Sequence, residues 1–145
     1  MIIMKNKIEK TLSLIKPDAV ERNLIGKILN IFEENNLTIY KIKKIHVDLD
    51  FAKKFYEMHS SRPFFNDLCN YISSGPLVAI ILEGKDAIQK NRDLMGSTNP
   101  SEAQDGTIRK LFAISIDKNS VHGSDSAESA SREIDLFFPK ICKNC

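Results

Sequence analysis

The 145-residue chain has the length of one domain built round one core, and 42% hydrophobic with 28% charged residues describe an ordinary folded globule rather than a disordered or fibrous chain. A net charge of +2, with no run of five or more like charges, leaves no strongly basic tail to force binding to nucleic acid or to an anionic membrane. The opening "MIIMKNKIEK" has too few apolar residues for a signal segment, no later stretch approaches the ~18 of a membrane span, and three cysteines argue against a disulfide framework, so the expected location is the cytoplasm.

"KTLSLIK" is short, mostly apolar and β-prone, and Pro17 pushes Lys16 toward an extended backbone, which predicts a buried strand ending at Lys16. "NLIGKILNIFEENN" sets Leu24, Ile25, Ile28, Leu29 and Phe32 at helical spacing and stops at the Asn35-Asn36 pair. In "LTIYKIKKIHVDL", Ile39, Lys41, Lys43 and Ile45 share one parity and Tyr40, Ile42, Lys44 and His46 the other, a strand covered on parts of both faces. From Asp50, "DFAKKFYEMH" is helical through Phe51, Phe55 and Met58. "SRPFFNDLCNYISSG" reads as a second short helix, with Ser60 or Ser61 as cap, Pro63 in the first turn and Cys69 in the core. The two form a helical hairpin carrying aromatics.

"PLVAIILEG" predicts a central strand and "DAIQKNRDLMG" a helix ended by Gly96. "STNPSEAQDGTIRKLF" is a long loop closing on a short periodic piece, and long loops inside compact domains are often functional. "AISI" is taken as the last strand. "DSAESASREIDLFF" is the last helix, with Asp125 and Glu128 spaced as a capping box and Ala127, Ala130, Ile134, Phe137 and Phe138 as its buried face. Residues 139–145 are expected to form a frayed tail, and the "CKNC" of Cys142 and Cys145 has no second ligand pair with which to bind zinc. The order predicts a single α+β domain over 1–145. Its simplest topology is a ferredoxin-like β-α-β-β-α-β core, a four-stranded antiparallel sheet covered by helices.

Polar groups gather at strand ends: Lys16 after the first strand, Asn119 and His122 after the last. If those strands are neighbours pointing the same way, Lys16 and His122 meet at one edge of the sheet. Arg92 and Arg109 could add two guanidiniums, whose planar forks suit phosphate oxygens. Each cation alone is more often a surface charge, so only their convergence makes a site. His122 has three readings. A structural histidine on a strand-to-helix turn is the commonest. A metal ligand needs partners, yet His46 and His59 lie in other elements and no H-x-x-H spacing exists. A nucleophile needs a free ring nitrogen and a partner that fixes the tautomer, for which Glu133, on the margin of the last helix's buried face, is the candidate. A solvated flank position is the alternative for Glu133. A serine-hydrolase reading of Ser124, His122 and Asp125 fails because neighbours in sequence rarely converge on one atom and G-x-S-x-G is absent. "LIGKI" lacks the upstream glycine and following Ser/Thr of a phosphate loop.

The ordered motifs "LIKPDAV", "ERNLIGKI", "SRPFF", "SGPLVAIILEG", "RDLMGSTNP", "DGTIR" and "NSVHGSDS" resemble those of the nucleoside diphosphate kinase family, from about Lys10 to Phe138. The last of them is highly specific to that family. The resemblance implies ping-pong transfer of a γ-phosphoryl group from a nucleoside triphosphate to a diphosphate. It makes His122 the phosphorylated residue, with Glu133 orienting the imidazole, Ser124 nearby and Tyr56 bordering the ring. It further implies that Lys16, Arg92, Thr98 and Arg109 hold phosphates, that Asn119 joins Lys16 near the sugar hydroxyls, and that Phe64 stacks on the base. Mg²⁺ is expected on the nucleotide phosphates rather than in a protein cage. A homo-oligomer is expected, a hexamer in preference to a tetramer, with no membrane partner and no obligatory nucleic acid. Asp105 departs from the pattern at a position where proline is common, which bears on the rigidity of that loop and on subunit contacts. Two rival classes are weaker. A non-catalytic nucleotide-binding module would not need His122, Lys16 and Arg109 together, and a nucleic-acid-binding sheet would carry aromatics on strands rather than on helices.

Overall fold

In the computed structural model, which describes residues 7–139, the apolar run after Lys7 forms β1 (Ile8–Ile15). Pro17, with its fixed φ and missing N–H, stops the strand and opens α1 (Pro17–Glu21). The helical spacing that follows becomes α2 (Ile25–Glu34), burying Ile28 and Phe32. Next come the strand β2 (Thr38–Ile45) and the hairpin of α3 (Leu49–Phe55) and α4 (Phe65–Ile72). The central strand β3 (Leu77–Lys85) leads to α5 (Ala87–Met95), which ends at Gly96 with φ +84°. A long loop, α6 (Ile108–Phe112), a three-residue strand β4 (Val121–Gly123) and α7 (Ala127–Phe137) complete the described chain.

The sheet has the order β2-β3-β1-β4, with every neighbouring pair antiparallel, as the ferredoxin-like β-α-β-β-α-β arrangement requires. One face carries α2, α5 and α6 on Ile15, Val78, Ile80, Leu82 and Val121. The other carries the α3–α4 hairpin and α7 on Leu12, Leu14, Leu77 and Ala79. The strand β2 is covered on parts of both faces as expected, but parity does not explain how. A bulge at Tyr40 places Ile39 opposite Leu82 and Lys41 opposite Ile81, so Ile39 and Ile45 pack into different faces although they share a parity.

Several expectations are corrected. "AISI" is not a strand: Ala113–Ile116 is irregular, with Ile114 and Ile116 exposed, and the real last strand lies further on at Val121–Gly123. The strands β1 and β4 are neighbours but run antiparallel, so Lys16 at the end of β1 faces the start of β4, while His122 pairs with Leu14 further along. The cap of α7 is Ser126, whose Oγ accepts from the Ser129 N–H, not Asp125, and Ala127 is exposed. Helix α4 starts after Phe64, with Pro63 outside its first turn and neither Ser60 nor Ser61 as its cap. Cys142 and Cys145 lie outside the described residues.

Candidate active site

The imidazole of His122 lies at the centre of a short strand. It emerges on the sheet face covered by α3 and α7, because Val121 and Gly123 take the opposite face and are buried. The Ser126 cap starts α7, and two turns on the helix presents Glu133, which is 8% exposed. A solvated flank position is thereby excluded. Glu133 Oε1 lies 2.7 Å from His122 Nε2 and accepts from Ser124 Oγ at 2.9 Å. With Nε2 donating to the carboxylate, the neutral ring keeps its lone pair on Nδ1. The Phe55 ring stands edge-on to the imidazole at 5.1 Å, and Tyr56 packs on Phe55 at 4.8 Å, so imidazole orientation is fixed by packing as well as by hydrogen bonding.

The cations come from three other elements. Lys16 caps α1 through its backbone and donates from Nζ to Asn119 Oδ1 at 2.8 Å, while Asn119 Nδ2 donates to the Thr98 carbonyl at 3.3 Å. Burial, and then the neighbouring Arg109, bring the Lys16 ammonium down to about 8 against the support of Asp18 and Asp117. Arg109, in the first turn of α6, donates to the carbonyls of Gly96 at 2.9 Å and Val121 at 3.0 Å. Burial and Arg92 lower it to about 10. The last turn of α5 supplies Arg92. Among the described residues the ion pairs are Lys10–Glu83, Arg22–Asp18, His122–Glu133 and Arg132–Glu57, and none involves Lys16, Arg92 or Arg109. Lys16 is opposed by Arg109, and Arg109 by Arg92, a repulsion that an anionic ligand would relieve.

A cleft of about 760 Å³ joins these groups. Nine of the ten residues singled out in the sequence line it; Ser124, fully buried, stands behind Glu133. At the mouth, Phe64 is 44% exposed and Ile116 54% exposed. Ile116 was hidden from sequence reasoning by its place in the misassigned "AISI" strand. The contact of Phe55 with His122 was hidden because helical spacing marked that ring only as core. His59 also lines the cleft, tilted against Phe64 at 6.1 Å between centroids and against Tyr56 at 6.3 Å. Among the described residues no group of three or more His, Cys, Asp or Glu side chains is arranged to hold a metal, and no helix is long and apolar enough to cross a membrane.

Residues 9–141 match the family model described as nucleoside diphosphate kinase. A nucleoside diphosphate kinase of Nitratiruptor sp. is 58% identical over 90% of this chain and 95% of its own length. That of Campylobacter jejuni subsp. jejuni serotype O:6 is also 58% identical, over 92% of this chain and 99% of its own. The solved structure of the Aquifex aeolicus nucleoside diphosphate kinase superposes with a TM-score of 0.91 at 40% identity, covering 93% of this chain and 98% of the other. The apo enzyme of Encephalitozoon cuniculi gives 0.89 at 39% identity, over 91% and 90%. A sheet of this order, a carboxylate-held imidazole, three cations lining one cleft and a sequence match spanning nearly the whole chain agree: the chain belongs to the nucleoside diphosphate kinase family.

Proposed function

We propose that this phosphotransferase moves the γ-phosphoryl group of a nucleoside triphosphate to a nucleoside diphosphate through His122, and that Nδ1 is the atom that carries it. The observation that carries the proposal is the 2.7 Å contact of Nε2 with Glu133, which engages one nitrogen of a ring that lines the cleft and leaves Nδ1 as the other. In the first half-reaction Nδ1 attacks the γ-phosphorus in line, the P–N bond forms, and the bond to the β-γ bridging oxygen breaks with its electron pair leaving on the diphosphate. The ring's own proton stays on Nε2, where Glu133 offsets the positive charge that the ring acquires. The second half-reaction is the reverse, with a terminal β-oxygen of the acceptor diphosphate attacking the same phosphorus. Lys16, Arg92 and Arg109 offset charge on the transferring group, Thr98 and Asn119 fix the phosphates and sugar beside Lys16, and the base rests between Phe64 and Ile116 at the mouth.

Mg²⁺ would enter with the nucleotide, where it offsets charge on the phosphate oxygens. The cleft lining combines the cations Lys16, Arg92 and Arg109 with the carboxylates Asp117 and Asp125, and most of the ion's ligands would come from phosphate and water. We assign the activity to a single domain acting in the cytoplasm. Incubated with γ-labelled ATP and Mg²⁺ and no acceptor, the protein is expected to gain an acid-labile, alkali-stable label that added diphosphate discharges. His122→Ala is expected to take up none, and a label that persists in that variant overturns the assignment.

A further inference from the structure

A buried carboxylate that the transfer chemistry does not use lies just behind the site. Asp18, 7% exposed in α1, accepts from the Tyr71 hydroxyl of α4, from Arg22 NH2 at 3.0 Å and from Ser120 Oγ at 3.1 Å. Arg22 NH2 also donates to Ser120 Oγ at 3.2 Å, so the serine hydroxyl is gripped from two sides. Ser120 is itself unusual. It is fully buried, it has φ +74° without being glycine, and the Val121 N–H bonds across it to the Asn119 carbonyl at 2.9 Å. An i to i+2 bond around a residue at that φ is the rare, strained form of γ-turn. Such a conformation persists only where the surroundings hold it. Here they do so at both ends, because the Ser120 carbonyl also accepts from the Lys16 N–H at 2.9 Å. On one side of the turn is Asn119, which meets Lys16 Nζ; two residues beyond it on the other side is His122.

We propose that Asp18 is a positioning residue for phosphoryl transfer: by holding Ser120 in the strained turn it sets Asn119 against Lys16 and delivers His122 in register on β4. This inference rests on the roles proposed above for His122, Lys16 and Asn119. The carboxylate has a second effect on the same lysine. The charged groups round Lys16 are Arg109 of α6, which opposes its charge, and Asp18 of α1 and Asp117 of the loop before β4, which favour it. Lys16 is cationic below about 8, so an activity that needs the cation falls as pH rises through that value. Removing the Asp18 charge moves the fall to lower pH.

The experiment is a set of variants read by kcat/KM against pH and by phosphoenzyme formation, with the wild type first confirmed to label on His122. Absence of that label refutes the underlying site reading and leaves nothing for Asp18 to position. With the label present, Asp18→Asn and Ser120→Ala are each expected to lower kcat/KM by about tenfold, a loss typical of a slightly misplaced reacting group. Ser120→Gly, which adopts positive φ without strain, is expected to stay within about twofold of wild type. In that glycine background Asp18→Asn should lose most of its tenfold effect, while its alkaline limb still lies at least about half a pH unit lower than in the parent. Should Asp18→Asn fail to fold, the contrast between Ser120→Ala and Ser120→Gly carries the test alone. Equal activity of those two variants, an Asp18→Asn loss undiminished by Ser120→Gly, or an unmoved alkaline limb in a folded Asp18→Asn protein overturns the proposal.

Discussion

At the scale of single residues, the pair His122 and Glu133 shows how a fold turns an ordinary imidazole into a directed one. A free imidazole exchanges its proton between two nitrogens and rotates about χ1 and χ2. Here a carboxylate 2.7 Å from Nε2 and an aromatic edge 5.1 Å from the ring remove both freedoms. Glu133 is itself held by Ser124, so the order of support runs from hydroxyl to carboxylate to imidazole. On the proposed role, in which Glu133 acts on orientation and on the charge of the ring rather than on the bound nucleotide, Glu133→Gln is expected to reduce kcat by roughly ten- to hundredfold while leaving nucleotide affinity nearly unchanged. Rapid-quench measurement of phosphoenzyme formation beside equilibrium nucleotide binding checks this. An equal loss of affinity would instead make Glu133 a structural residue of α7.

At the scale of elements, the site depends on the seam between α5 and β4. Gly123 has no side chain to spare there: a Cβ would lie 2.3 Å from Asn91 Nδ2 and 2.8 Å from the terminal methyl of Met95, both fully or almost fully buried. Gly123→Ala is therefore expected to destabilise the protein by about 1–3 kcal/mol, as overpacking does, and to lower the phosphorylation rate, because the buried Asn91 and Met95 side chains that must give way pack against the strand that carries His122. Chemical denaturation together with the labelling assay reads both effects, and a variant as stable as wild type would refute the tight seam. The same seam explains what was legible in the sequence. The strands β1 and β3 are long, apolar runs whose burial is written in their composition, and α2 and α5 announce themselves by spacing and by Gly96. The three-residue β4 is too short for any period to show, while "AISI" has strand-like composition but no place beside β1. Its two isoleucines, Ile114 and Ile116, are exposed for the same reason. The cleft residues were legible as ordered motifs, whereas Phe55, Ile116 and the grip of Asp18 on Ser120 depend on contacts between elements distant in sequence, which no local pattern encodes.

At the scale of the whole molecule, two exposed apolar regions lie on different parts of the chain. Tyr40 and Ile42, 49% and 46% exposed, belong to β2, which among the described residues pairs with β3 alone and so stands at one edge of the sheet. Leu111, Ile114 and Ile116, 55%, 59% and 54% exposed, lie in and just after α6, in the segment leading to β4 at the opposite edge. An edge strand with apolar side chains favours pairing with its own copy about a two-fold axis, which makes a dimer. A second, separate surface would be needed to join such dimers into a closed assembly, a hexamer where it closes by threes and a tetramer where it closes by twos. We propose the hexamer. The two surfaces should therefore fail separately. Ile42→Glu is expected to abolish the dimer, and Leu111→Glu with Ile114→Glu to leave dimers that no longer associate. Light scattering on size-fractionated protein measures both, and an apparent melting temperature that rises with wild-type concentration gives a second reading of the same linkage. Ile116 also lines the cleft, so dimers produced by the second pair of substitutions should bind nucleotide more weakly if that loop is held in place by its neighbour. A wild-type chain that scatters as a monomer at all concentrations would remove both interfaces at once.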